Sequence, residues 1–414
     1  MIPLPLPTVL RPLAFGTFAS AVGNGAWYAS WALFLTRVLE LPIAQAGIAL
    51  TVAGVAGIAA AAPIGRLADR AGPREVMIGL SVVRAATMAG FLLADSLAGL
   101  IVVASLMSAA QQGASGARTA LVVGLTGPAE RLDALSSLRV LSHAGDAIGA
   151  AAGALVIQLD TRAAYGVLIA ANALSYLAYG LAAARLPRVL PCPANADDAP
   201  RRAALRDVPY VALAAICGVL TLCWAMVSTA LPLWVAGHTS APRASSGIIV
   251  VVSSIAIAAL QVRCTRAAGS PPAAARVALL SGAALAASCV LFAAASGPAA
   301  ETAALVLLAG GVAHIAGELL FVAASWGLSV PLMPEGRAGE YQGVFATGEA
   351  AALTVAPLLM TAVVVGWGQA GWLALGALFV LATLPAPAIT RRALRERARG
   401  PAGAGPAAAP AGSA

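Results

Sequence analysis

Long apolar runs, separated by short clusters of arginine, proline and glycine, make up most of this 414-residue chain. Runs such as Ile248 to Leu260 do not alternate with polar residues, so they favour helices over the strands of a β-barrel. A helix needs about 20 apolar residues to cross a bilayer. The pattern predicts twelve membrane-spanning helices, at residues 12–36, 43–64, 75–94, 98–121, 134–158, 163–185, 209–236, 244–262, 274–296, 300–326, 339–365 and 370–389.

The composition argues against a soluble enzyme. Sixty per cent of the residues are hydrophobic and 10% are charged, whereas about 25% of the residues of a soluble protein are charged. The loops left between the runs are too short for a large soluble domain. The predicted fold class is therefore an all-α polytopic membrane protein with twelve transmembrane helices in two six-helix halves.

All 25 basic residues are arginine, and the formal net charge is +8. Because these arginines lie between apolar runs, they do not predict a nucleic-acid partner. With the amino terminus inside, about 21 arginines, including Arg118 and Arg139, fall on the cytoplasmic side and 3 on the outer side. This bias predicts a multi-pass protein of the cell (inner) membrane with both termini in the cytoplasm.

A polar stretch rich in proline and arginine divides the chain into two parts. We expect an N-terminal six-helix half at residues 1–185, a cytoplasmic linker at 186–208 and a C-terminal six-helix half at 209–390. Residues 391–414 begin with arginines and end in alanine, glycine, proline and serine, which is typical of a basic and then disordered cytoplasmic tail.

The segment between the second and third runs reads Gly-Arg-Leu-Ala-Asp-Arg-Ala-Gly-Pro-Arg, at residues 65–74. Its glycines permit a tight turn, and an aspartate among arginines can hold a polar network. The spacing matches the loop signature G-x-L-x-D-R-x-G-x-R, and in this the chain resembles the major facilitator superfamily. The resemblance implies a conformational latch at the cytoplasmic ends of the two halves, formed by Gly65, Asp69, Arg70, Gly72 and Arg74. An ordinary charged turn is the alternative, which explains the arginines but not the glycine and aspartate spacing.

The fifth run carries Gly145, Gly149 and Gly153, spaced four residues apart. Such a stripe lets a neighbouring helix approach closely, so helix packing explains it. It is also similar to a degraded form of the glycine-rich signature of the superfamily's proton-coupled drug exporters. Both interpretations remain open at this point.

Ionisable residues inside the runs are candidates for proton coupling, since a charge at mid-helix costs about 2.5–3.5 kcal/mol even on the lenient insertion scale. A carboxyl group in this setting can exchange protons, which is what a proton-coupled carrier requires. The alternative is a structural ion pair, for instance between Arg84 and Asp146, that stays permanently charged. The candidates are Arg84, Asp146, Glu318 and Glu349.

Four residues of the first run lie on one helical face: Asn24, Trp27, Tyr28 and Trp31. The resemblance implies that spans one, four, seven and ten line a central cavity, where this face would bind a flat, partly apolar or cationic compound. Gln112 of the fourth run lies in a segment that is similar to part of the superfamily pattern R-x-x-Q-G. It is also a cavity candidate. Packing or lipid-facing aromatic side chains are the alternative.

These features together predict a secondary active transporter that works by alternating access. We expect proton-coupled export of a drug-like small molecule or secondary metabolite, that is, an efflux antiporter of the kind associated with multidrug resistance. The alternatives are uptake of a nutrient or small metabolite by symport or uniport and, in another class, a non-transporting receptor or scaffold. No enzymatic activity, cofactor or metal site is predicted, because no P-loop, metal-ligand or nucleophile-base motif occurs. The expected partners are the substrate, protons and the lipid bilayer, and we expect a monomer.

Overall fold

A computed structural model describes residues 5–34, 43–94, 96–189, 203–242, 244–334 and 336–398. Within these ranges, all regular secondary structure is helical. Twelve long helices form one bundle: α1 Arg11–Leu33, α2 Ile43–Ala71, α3 Pro73–Gly90, α4 Leu97–Leu125, α5 Pro128–Leu159, α6 Arg162–Ala184, α7 Val208–His238, α8 Ala244–Ala267, α9 Pro271–Ala294, α10 Ala300–Ser329, α11 Ala338–Val365 and α12 Gln369–Thr383. A further helix, α13 (Ala386–Ala398), follows α12.

The bundle agrees with the predicted fold class. In the described part of the chain, ten helices are long and apolar enough to cross a membrane by length and composition alone. The other two, α1 and α3, are not apolar enough to be included by this measure, yet α1 packs against α5 and α6 and α3 packs against α4 and α6. Their place in the bundle therefore completes a set of twelve spans.

The second six helices repeat the packing of the first six. Helix α1 packs on α5 as α7 packs on α11, α2 packs on α4 as α8 packs on α10, and α3 packs on α6 as α9 packs on α12. The contacts between the two sets also form a related pair, α2 with α11 and α5 with α8. A repeat of six helices therefore underlies the architecture, although most of the predicted linker and residues 399–414 lie outside the described residues.

Several helices differ from the apolar runs that predicted them. Helix α2 extends to Ala71 and α5 begins at Pro128, because both helices continue beyond their apolar runs into the adjoining polar sequence. The predicted twelfth span, 370–389, is interrupted after Thr383, where the nitrogen of Pro385 cannot donate a helical hydrogen bond. The helices α12 and α13 are the result.

Helices α7 and α11 each contain a wider, π-helical segment. These segments are Met226–Ala230 in α7 and Leu359–Val365 in α11. In α11 the segment starts two residues after Pro357, whose ring and missing N–H disturb the regular hydrogen-bond ladder. The apolar pattern predicts a helix at both places, but it does not predict its local pitch.

The glycine stripe of α5 lies against α1 at backbone distance. A Cβ atom added at Gly145 would lie 2.7 Å from the carbonyl oxygen of Phe18, and one at Gly149 would overlap the carbonyl oxygen of Val22. One added at Gly153 would lie 2.6 Å from the carbonyl oxygen of Ala26. The absence of side chains at these positions therefore lets the backbones of α1 and α5 meet.

Candidate functional site

Two adjoining cavities of about 380 Å³ each lie between the two six-helix sets and share part of their lining, and we describe them as two lobes of one central cavity. The first lobe extends toward α10 and the second toward α1 and α3. Both lobes share lining residues from α4, α5, α7 and α11, namely Gln111, Ser115, Arg118, Ser142, Asp146, Trp224 and Glu349. The shared wall makes the two lobes parts of one central site.

The residues predicted on α1 separate into two groups. Asn24 and Tyr28 line the second lobe, as does Gln112 of α4. Trp27 and Trp31 instead line an apolar pocket of about 260 Å³, which Tyr28 also borders. The ring of Trp27 packs against Phe91 with centroids 5.0 Å apart. The single helical face seen in the sequence is therefore divided between a polar and an apolar environment.

Two of the predicted carboxylates line both lobes of the cavity. Asp146 comes from α5 in the first set of helices and Glu349 from α11 in the second. Neither carboxylate forms a hydrogen bond or an ion pair with any of the described residues. His143, one turn before Asp146, also lines the first lobe.

The ion pair considered between Arg84 and Asp146 is not formed in the structure. Arg84 is 4% exposed, and its guanidinium carbon lies 3.9 Å from the centre of the Tyr176 ring. Its Nε atom is buried without a hydrogen-bond partner. The charged group is thus placed in the wall of the second lobe without a counter-charge at ion-pair distance.

Glu318, in contrast, has several partners. Arg139 of α5 donates from Nη2 to its Oε1 atom at 2.9 Å, and the indole N–H of Trp224 donates to the same oxygen at 3.0 Å. The hydroxyl of Ser253 donates to Oε2 at 3.3 Å, and His314 Nε2 lies 3.8 Å from that oxygen. Glu318 therefore joins the two sets of helices through a buried ion pair.

Two arginines of this site were missed by the count of loop charges. The charge count places Arg118 and Arg139 toward the cytoplasmic side, and the structure shows that both line the cavity. Both positions also lie inside the predicted spans 98–121 and 134–158, so a count of loop charges does not single them out as residues of a site. A charged residue inside a span was the signal that pointed to this site.

The residues of the predicted latch lie at the end of the bundle that also carries the α4–α5 turn and α13, which we call the basic face. The carboxylate of Asp69 accepts hydrogen bonds from the backbone nitrogens of Gly339 at 2.7 Å and Glu340 at 2.8 Å, at the start of α11. Gly65 lies so close to Gly339 that a Cβ at either glycine would overlap the other's carbonyl oxygen. Asp69 thus bridges the two sets of helices through the backbone of α11.

The other predicted latch residues shape the turn between α2 and α3. Gly72 has a φ of 95°, in the left-handed region that favours glycine. Arg74 donates to the carbonyl oxygen of Ala184 at the end of α6, and Arg70 is exposed at the end of α2. These residues hold the turn against the first set of helices.

A second contact at the basic face joins α5 to α8. The guanidinium of Arg266 donates to both carboxylate oxygens of Asp133, with Nη2 to Oδ2 at 2.8 Å and Nε to Oδ1 at 3.0 Å. The sequence of the second half lacks an aspartate in its corresponding loop, but Asp133 of the first half supplies one. The two sets of helices therefore meet at the basic face through both related contacts, α2 with α11 and α5 with α8.

Comparisons with known proteins agree with this architecture. Residues 13–357 match the family model described as Major Facilitator Superfamily. No curated protein sequence matches the chain.

Three solved structures share the fold over nearly the whole chain. A bacterial homologue of the iron transporter ferroportin, in an outward-facing state, has a TM-score of 0.75 at 15% identity, covering 94% of this chain and all of that one. The human organic anion transporter MFSD10 (TETRAN) has a TM-score of 0.72 at 14% identity, covering 91% and 98%. The proton:xylose symporter XylE, bound to 6-bromo-6-deoxy-D-glucose, has a TM-score of 0.70 at 11% identity, covering 91% and 94%. The TM-scores show the shared fold, while the named substrates of the three proteins differ.

Proposed function

The chain belongs to the major facilitator superfamily of secondary transporters, and from this premise we propose that it exports a small amphipathic molecule in exchange for protons. The observation that carries the proposal is the pair of carboxylates, Asp146 and Glu349, that line the central cavity from opposite halves without an ion-pair partner among the described residues. The transported molecule and protons would reach both groups through the same cavity.

Unpaired carboxylates in a membrane-spanning bundle suit an exchange mechanism. A carboxylate in this environment is costly unless a proton or a cationic group neutralises it. Protons and a positively charged group of the substrate would therefore compete for the same oxygens, and release of one would accompany binding of the other. Arg118, Arg139 and His143 line the cavity together with these carboxylates, and Tyr28 lines the second lobe with Asp146.

Glu318 has a different place in this proposal. Its oxygens already accept hydrogen bonds from Arg139, Trp224 and Ser253. We therefore assign it to the contact between the halves rather than to the exchange site. Arg84, also predicted as a coupling residue, lies against the ring of Tyr176 in the wall of the second lobe.

The cavity suits a flat organic molecule. Each lobe, at about 380 Å³, lies within the usual range for sites that bind drug-sized ligands. The first lobe is lined by Trp224, Phe321 and Phe345, and the rings of Trp224 and Phe321 lie 5.7 Å apart. Aromatic rings here offer stacking surface beside the charged groups.

The latch geometry supports alternating access. Asp69 and the Asp133–Arg266 pair connect the halves at the basic face, which the arginine distribution predicts to be cytoplasmic. We propose that these contacts break and re-form as the cavity changes its accessible side. One charge moved across 100 mV is worth about 2.3 kcal/mol, so exchange of a single proton can drive a substantial gradient.

The coupling is tested in everted membrane vesicles with a fluorescent reporter of the proton gradient and a panel of flat amphipathic amines. We expect the wild type to dissipate the gradient when a substrate is added, and Asp146→Asn or Glu349→Gln to lose this response. Glu301→Gln, at an exposed carboxylate near the start of α10, is the matched control and keeps it. If both cavity variants respond as the wild type does, proton exchange at this pair is wrong.

The direction is tested in whole cells with a labelled compound from the same panel. Export predicts lower accumulation in cells that express the protein than in cells that do not. Higher accumulation that rises with external acidity would instead support proton-coupled uptake, the alternative direction.

A further inference from the structure

Arg84 is the most deeply buried charge of the second lobe. It lies near the middle of α3, 4% exposed, with its guanidinium stacked on the ring of Tyr176. The hydroxyl of Tyr176 donates a hydrogen bond to Oδ1 of Asn24 at 2.6 Å, which fixes the ring from α1. Three helices thus hold one guanidinium against the cavity.

The hydrogen-bonding capacity of this guanidinium is unused. The described residues supply it with no hydrogen-bond acceptor, and its Nε atom is buried without a partner. The contact with the Tyr176 ring is a cation–π contact that supplies no oxygen or nitrogen acceptor, so it leaves the five N–H donors of the group without acceptors among the described residues. A buried arginine without a partner is costly in a membrane-spanning bundle, so a ligand that supplies acceptors would bind there with a large gain.

We propose that the second lobe binds an anionic group of the transported molecule, of the carboxylate class, through Arg84. A carboxylate matches the paired donors of a guanidinium in a bidentate geometry. The inference rests on the proposed function in that it places this group on the same molecule whose positive group faces Asp146 and Glu349. The substrate class is therefore an aromatic ampholyte, with one carboxylate and one amine on a flat body.

The charges of the cavity agree with such a ligand. In the part of the chain that the structure describes, Arg84 and Arg118 are cations without ion-pair partners, and Asp146 and Glu349 are their unpaired counterparts in the same lobe. A purely cationic ligand would leave the two arginines without acceptors, and a purely anionic ligand would approach two carboxylates. A molecule with both charges complements both sets, and Trp224, which lines both lobes, lies beside its aromatic body.

The proposal is tested by titration calorimetry of the purified full-length protein with four related probes. These are 1-naphthylalanine, its carboxamide, the corresponding amine that lacks the carboxyl group, and the acid that lacks the amine. We expect the wild type to bind 1-naphthylalanine about 10- to 100-fold more tightly than the carboxamide, as for a hydrogen bond to a charged group. Arg84→Gln should abolish this ratio while the affinity for the carboxamide stays the same, which also shows that the cavity is intact.

Two further variants sharpen the result. Arg84→Lys keeps the charge but not the bidentate donors, and we expect it to retain part of the preference. Arg162→Gln, at an exposed arginine at the start of α6, is the matched control and should keep the wild-type ratio. Equal affinities for acid and carboxamide in the wild type, a preference that survives Arg84→Gln, or the absence of binding by all four probes would each overturn the proposal.

The outcome can be separated from that of the proposed function. If Arg84→Gln loses the carboxylate preference but keeps an amine-induced proton response, both hold. If the preference depends on Arg84 but neither Asp146→Asn nor Glu349→Gln alters proton movement, the anion site stands and proton exchange at the carboxylates fails. If proton movement depends on those carboxylates and the carboxylate preference is absent, the anion site alone is wrong.

Discussion

Arg139 and Glu318 form a charged contact whose partners are both largely withdrawn from solvent, with side chains 14% and 7% exposed. The guanidinium carbon of Arg139 also lies 5.4 Å from the centre of the Trp224 ring, and its Nε atom has no partner. The desolvation of two charges offsets much of their attraction, so such a pair contributes less stability than its geometry suggests. Removal of one partner, however, leaves the other charge buried and uncompensated.

This difference gives a prediction for variants of the pair. Glu318→Gln should lower the free energy of unfolding by about 3–5 kcal/mol, because Arg139 then has no counter-charge. The double variant Arg139→Met with Glu318→Leu should lose less than Glu318→Gln alone, since no charge remains to be desolvated. Thermal unfolding in detergent micelles measures both, and a double variant less stable than Glu318→Gln would contradict this account.

The close contact between α1 and α5 depends on the absence of side chains at the glycines of α5. Gly149 lies opposite the carbonyl oxygen of Val22, with no room for a methyl group. Gly166, in the first half of α6, has nothing within 4 Å of the position that a Cβ would take. The same substitution at these glycines should therefore have opposite effects.

Gly149→Ala should destabilise the protein by about 1–3 kcal/mol through overpacking, with α5 displaced from α1. Gly166→Ala should be neutral or stabilise by up to about 1 kcal/mol, because alanine favours the helix and meets no neighbour. Unfolding midpoints of the two purified variants, compared with the wild type, test these two expected effects. Equal stability losses would show that the helix itself, rather than its contact with α1, requires glycine.

The positions of the helices could be predicted from the sequence, but the packing of their side chains against other helices could not. Apolar runs locate the spans because a bilayer imposes a length on each of them. The same runs do not indicate that Trp27 packs on Phe91 while Tyr28, one residue later, borders the polar lobe. Local hydropathy also does not show which charges are paired, since Glu318 and Asp146 are each surrounded in sequence by apolar and small residues. Their different environments depend on helices far away in the chain.

The two halves of the molecule meet at the basic face through contacts of unequal strength. Asp69 accepts two backbone hydrogen bonds in a half-buried position beside the close approach of Gly65 and Gly339. The Asp133–Arg266 pair is bidentate, but the arginine side chain is 60% exposed. Solvent screens the exposed pair, so Asp69 should contribute more to keeping this face closed.

We therefore expect Asp69→Asn to open the basic face more than Arg266→Gln does. A hydrogen bond to a charged group is worth about 1.5–3 kcal/mol, so the loss of charge at Asp69 should shift the ratio of open to closed forms by at least about tenfold. Electron–electron distance measurements between spin labels at the exposed residues Leu67 and Arg392, in a background without native cysteines, report this ratio. Arg266→Gln is the matched control, and a larger opening in it than in Asp69→Asn would reverse the assignment of the main latch.

The ion pair between the halves also has a consequence for how the chain is made. Arg139 and Glu318 are 179 residues apart in the sequence. At about 5–20 residues per second, a ribosome needs about 10 to 40 s to synthesise that interval, during which α5 exists and α10 does not. In an unfinished chain the guanidinium of Arg139 therefore has no Glu318 as counter-charge. It lies in or near the membrane, where it draws in water or bends toward the lipid headgroups. Chains that end early keep this exposed charge, so membrane quality control could distinguish a truncated product from a completed one.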